Sequence, residues 1–134
     1  MTPQEDSQLQ RQIADFCQRD PRFPAEAFHF MGAALRLGMI RHQRRHVSPK
    51  ELVESARELA QRAFGPMASF TLREWRLRRT EDLGQLVLAM VEAGLFSLND
   101  ADRIEDFANG FDFEEAFVAP YRPAGHLVTP PVIA

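Results

Sequence analysis

The sequence predicts a mostly α fold: a compact orthogonal bundle of about five main helices with an irregular acidic C-terminal segment. Three observations predict it. Apolar residues recur at three- and four-residue spacing along successive stretches, which marks one buried face per helix. Those stretches are punctuated by Asp20-Pro21, Ser48-Pro49, Gly65-Pro66 and Gly94, all helix stop or start signals. Of 134 residues, 45% are apolar and 26% charged, and 11 Phe stand against one Tyr and one Trp, a composition suited to a single dry core. Residues 5–117 form one helical domain, and residues 118–134, rich in proline, form an extended tail.

The first helix runs from about Glu5 to Arg19, with Leu9, Ile13, Phe16 and Cys17 on one face, and ends at Asp20-Pro21 because a residue before proline leaves the α region. Pro24 suits the first position of a second helix that continues to about Arg41. Ala27, Phe30, Met31, Ala34, Leu35, Leu37 and Gly38 wrap most of its circumference, and Gly32, Ala33 and Ala34 allow close approach by a neighbour. His29 lies in this apolar surface and reads as a core histidine. Ser48-Pro49-Lys50-Glu51 is a capping box opening a third helix to about Phe64, with Leu52, Ala56, Leu59, Ala60 and Ala63 buried. On its wet face, Glu54 pairs with Arg57 and Glu58 with Arg62.

Residues 64–95 are the organising unit. Gly65 caps the third helix, and Pro66 starts a fourth that turns Met67, Ala68, Leu72 and Trp75 to one side, with a strand across Phe70-Thr71-Leu72 as the lesser alternative. After a basic break at 76–79, Thr80 caps a fifth helix whose stripe is Leu83, Leu86, Val87, Met90 and Val91, stopped by Gly94. Asn99 or Asp100 is placed to cap a short helix through Phe107. Asn109-Gly110 is a turn, and Phe111, Phe113 and Phe117 lie back on the bundle.

Charge is unevenly distributed. Residues 36–79 hold 11 Lys and Arg against 4 Asp and Glu, whereas residues 80–134 hold 2 against 10. Such halves either attract each other within the fold or present two faces of opposite sign. Cys17 is the only cysteine, so no internal disulfide forms; it reads as a small core residue. No apolar run approaches the roughly 20 residues that span a bilayer, and the polar N-terminus lacks a signal-peptide pattern. These features predict a cytoplasmic chain with no membrane partner.

No constellation predicts catalysis, a cofactor or a metal. His42 and His46 have metal-ligand spacing, but Gln43 stands where a zinc protease has glutamate, and Arg44 and Arg45 repel a cation. Asp100, Asp102, Glu105 and Asp106 lack the glycine of a calcium loop. The serines lie in no nucleophile elbow, and the seven glycines are scattered singly. The candidate binding residues are basic: Arg41, Arg44, Arg45, Arg76, Arg78 and Arg79 form one patch if the two breaks that carry them converge. The fifth helix exposes Glu81, Asp82, Gln85 and Glu92, which argues against a DNA-reading helix.

Asp20-Pro21-Arg22-Phe23, His46-Val47-Ser48, Phe64-Gly65-Pro66-Met67-Ala68, Trp75, Thr80-Glu81-Asp82-Leu83-Gly84, Gly94-Leu95 and Phe111-Asp112-Phe113 together resemble a family of small uncharacterised bacterial proteins. The likeness spans roughly residues 20–117 and implies no activity or binding residue. That family's pattern has glycine after the serine and after the tryptophan, where this chain carries Pro49 and Arg76. The residues themselves predict a non-enzymatic interaction or adaptor module with a protein partner. The second reading is a nucleic-acid- or ribosome-associated protein using the arginines. A third, a small enzyme, requires a pocket joining His29 or His46 to a carboxylate.

Overall fold

A computed structural model describes residues 3–122. Among them are six α-helices and no strand: α1 Pro3–Arg19, α2 Ala25–His42, α3 Pro49–Phe64, α4 Ala68–Glu74, α5 Thr80–Glu92 and α6 Phe113–Phe117. Single 3₁₀ turns at Gly65–Met67, Ile104–Phe107 and Ala119–Tyr121 join or follow them. The fold is a compact helical one, as its periodicity predicts.

α2 is the central helix and packs most extensively on α3, with α1 and α5 also against it. Its buried residues are Ala27, Phe28, Phe30, Met31, Ala34 and Gly38. At 100° per residue, His29, Arg36 and Ile40 fall on the opposite side, and all three are exposed. His29 is therefore a surface residue, not the core histidine that its apolar neighbours suggest. Of the small residues expected to admit a neighbour on this helix, Ala34 is fully buried, but Gly32 is not a point of close approach. A Cβ on Gly32 would meet nothing within 4 Å, whereas one on Gly38 would sit 3.0 Å from both Ser55 Oγ and Val47 Cγ1.

α3 begins with the expected capping box: Ser48 Oγ accepts from Glu51 N at 3.2 Å, and Glu51 Oε1 accepts from Ser48 N at 2.9 Å. Its wet-face pairs form as spaced, Glu54–Arg57 at 3.8 Å and Glu58–Arg62 at 2.8 Å. Leu52, Ala56 and Ala60 are buried with Val53 and Ser55, while Ala63 in the last turn is exposed. Gly65 adopts φ +51 and ψ −128, a backbone that glycine tolerates best, and the chain turns through Pro66 into α4. Ala68 and Leu72 hold α4 to the core; Met67 and Phe70 point outward and are more than half exposed. Phe30, Phe64 and Trp75 pack together where α2, α3 and α4 meet, with centroids 5.6–6.0 Å apart.

α5 buries Leu83, Leu86, Val87 and Met90 as predicted. Thr80 does not cap it. Arg79 occupies the cap position, and Asp82 Oδ2 accepts from Arg78 N at 2.8 Å and Arg79 N at 3.2 Å. Thr80 is instead 1% exposed, and its Oγ1 accepts from Gly110 N at 3.0 Å, tying the start of α5 to the returning acidic segment. That segment forms one 3₁₀ turn, not a helix from Asn99, and drives Phe107 into the core against Gly84 of α5. Phe111, Phe113 and Phe117 form a second aromatic cluster, with Arg57 of α3 over the Phe111 ring at 5.5 Å. The expected tail at 118–134 begins with the Ala119–Tyr121 turn, held by an Arg122–Glu114 ion pair; its remainder lies outside the described residues.

Candidate functional site

The six candidate arginines fall into four neighbourhoods. Arg41 pairs with Glu58 and Arg44 with Glu51, both carboxylates of α3. Arg45 lies on the following loop beside a small cavity. Arg76 donates from Nη1 to the carbonyls of Pro21 at 3.2 Å and Arg22 at 3.1 Å, fastening the end of α4 to the α1–α2 turn. Its role is internal. Arg78 and Arg79 open instead onto a cleft of about 980 Å³ between α4, the start of α5 and residues 109–114.

Arg73 reaches the same cleft, and Arg73, Arg78 and Arg79 are all exposed. None of the three forms an ion pair among the described residues. Arg73 escaped the sequence reading because it lies inside a helix and not in a basic run. The available signal was its place on the wet side of α4, away from Ala68 and Leu72.

The opposite wall of the cleft carries Phe111 and Phe113, ring-stacked at 5.1 Å, beside Asp112 and Glu114. Two of its carboxylates have internal partners: Asp112 Oδ1 caps α6 by accepting from Glu114 N at 2.8 Å, and Glu114 pairs with Arg122. Glu81 accepts from Thr80 Oγ1 at 3.5 Å. Guanidinium donors thus face the solvent of the cleft, while much of the acidic wall is engaged within the fold.

The histidines do not share a ligand. His42 closes α2, and its Nδ1 lies 3.2 Å from Glu51 Oε2; His46 lies beyond the helix, with Nε2 2.9 Å from Asp102 Oδ2. The helical premise behind their four-residue spacing fails at Gln43, which takes φ +53 and ends the helix between them. His46–Asp102 is the single contact between a basic side chain and a carboxylate, among the described residues, that joins the basic middle of the chain to its acidic end. It lines a cavity, as an enzyme reading requires. No hydroxyl or thiol among the described residues, however, hydrogen-bonds to that imidazole, as an activated nucleophile would.

Glu51 accepts from Ser48 N and Arg44 and faces His42, and the first two of these hydrogen bonds hold its carboxyl down to about 2. Cys17 is half-buried, with Sγ 3.7 Å from Phe23 O, and burial raises its thiol pKa. A raised pKa leaves little thiolate, so Cys17 is no activated nucleophile. Among the described residues no helix is long and apolar enough to cross a membrane. No protein-family model, curated protein or solved structure matches the chain, and the functional reading rests on the geometry of its surfaces.

Proposed function

We propose that this protein is a non-catalytic interaction module that receives an acidic segment of a partner protein in the Arg73–Arg78–Arg79 cleft. The observation that supports it is the set of three exposed guanidiniums that form no ion pair among the described residues, converging on one concave surface. Arginine offers carboxylates paired, planar donors, so a cleft of this kind favours Asp and Glu side chains. Phe70, exposed on α4 beside Arg73, and Met67 in the turn before α4 extend the surface with apolar area. Interfaces commonly combine such apolar anchors with arginine. A chain whose one thiol is half-buried, and among whose described residues no helix is long and apolar enough to cross a membrane, suits action in the cytoplasm.

Nucleic acid is the weaker fit. A phosphate backbone repeats its charge at short intervals and needs a continuous basic track. Here Glu81, Asp112 and Glu114 interrupt the track, and Phe111 and Phe113 stack on each other instead of presenting faces for bases. The test is capture from native lysate by the tagged protein, with and without nuclease, beside an Arg73→Ala/Arg78→Ala/Arg79→Ala variant. A protein partner that survives nuclease and is lost with the variant is the expected result. Capture that nuclease abolishes, or that the variant retains in full, overturns the reading.

A further inference from the structure

On the other side of α5, Val47, Leu52 and Phe107 are buried in the floor of a second cavity, of about 380 Å³, and Leu35, Met39 and Phe96 stand half-buried around it. Its polar groups come from two loops only, Arg45 and His46 from one and Ser97, Asn99 and Asp102 from the other. The His46–Asp102 pair joins these loops at 2.9 Å. The Asp102 side chain is 7% exposed and also accepts from Asn99 N at 3.1 Å, so the one carboxylate here is enclosed and engaged by its two neighbours. Arg45 is exposed and makes no ion pair among the described residues. A hollow with an apolar floor therefore meets a polar rim on which Arg45 is the exposed cation.

We infer that this cavity binds a small amphiphilic anion, its apolar chain inside and its acid group on Arg45. Small-molecule sites commonly pair an apolar interior with a few polar groups and span about 300–1,000 Å³. At the low end of that range, this cavity suits a short alkyl or aryl carboxylate. The site is separate from the arginine cleft and does not depend on it.

The test is titration of octanoate, and in parallel octanol, into the full chain, followed by amide NMR. Saturable shifts at Val47 and Phe107 with octanoate, and weaker ones with octanol, are expected. Arg45→Ala, at an exposed position that does not threaten folding, is expected to weaken octanoate about tenfold, the loss of one charge-assisted contact. Leu35→Trp, with its fold checked by circular dichroism, is expected to abolish binding by filling the mouth, and Arg78→Ala/Arg79→Ala to leave it unchanged. Octanol binding as tightly as octanoate, an Arg45→Ala variant of undiminished affinity, or no shift at Val47 and Phe107 at millimolar octanoate would each overturn the inference.

Discussion

Arg76 holds its backbone at φ +65 at the end of α4, in a region where a side chain crowds its own carbonyl. The position is the left-handed link of a Schellman ending: Leu77 N donates to Leu72 O at 2.8 Å and Arg76 N to Arg73 O at 2.9 Å. Leu72 and Leu77, joined this way, are both buried. Arg76 offsets the strain through its two bonds to Pro21 and Arg22. Arg76→Ala keeps the strain and loses the bonds, whereas Arg76→Gly loses both. Chemical denaturation is expected to find the glycine variant about 1 kcal/mol more stable than the alanine variant; equal stabilities would show that the backbone is unstrained. Glu51 makes a second residue-scale prediction. Its folded pKa, about 2, lies below the ordinary value of 4.5, so the unfolded chain binds the extra proton as pH falls. Its contribution is fully present above 4.5 and fades between 4.5 and about 2. Denaturation midpoints of Glu51→Gln and the parent are expected to converge across that window, and a constant gap would contradict the assignment.

At the scale of elements, three helices end in the same way: Gln43 at φ +53, Arg76 at +65 and Gly94 at +77 each follow a helix whose last carbonyls accept from the next two N–H groups. Only the third was legible, because glycine announces a left-handed residue and glutamine or arginine does not. The start of α3 was legible in full, since Ser48, Pro49 and Glu51 specify a cap by local chemistry alone. The start of α5 was not, because Thr80 is claimed by Gly110, a partner 30 residues away. Helix–helix contact was equally hidden. Gly32 and Gly38 look alike in sequence, but only Gly38 faces Ser55 and Val47 at 3.0 Å. Gly32→Ala is expected to stabilise the protein by about 0.5–1 kcal/mol through helix propensity. Gly38→Ala is expected to destabilise it by about 1–3 kcal/mol through overpacking, so thermal melts should move in opposite directions. Two shifts of the same sign would mean that α2 and α3 are less closely packed there.

At the scale of the whole molecule, the excess of positive charge over residues 36–79 is handled in pieces. Arg41 and Arg44 are matched by carboxylates 17 and 7 residues away on α3, and Arg76 by backbone carbonyls. Pairings at such separations depend on how helices pack, which a count of charges along the chain does not reveal. Arg78 and Arg79 were legible because the break that carries them is exposed; Arg73 joins them only once α4 is set beside α5. The proposed module therefore works through part of the predicted patch plus one residue outside it. Arg41→Ala/Arg44→Ala serves as the matched control, since it removes the same charge type from a self-satisfied surface. The decisive measurement is fluorescence anisotropy of a Glu- and Asp-rich peptide with one Phe, and of a single-stranded oligonucleotide of equal charge, titrated with the full chain at rising salt. The expected result is that the peptide binds more tightly than the oligonucleotide, that Arg73→Ala/Arg78→Ala/Arg79→Ala removes its binding, and that Arg41→Ala/Arg44→Ala retains it. Tighter binding of the oligonucleotide, or peptide binding undiminished by the triple substitution, would contradict it.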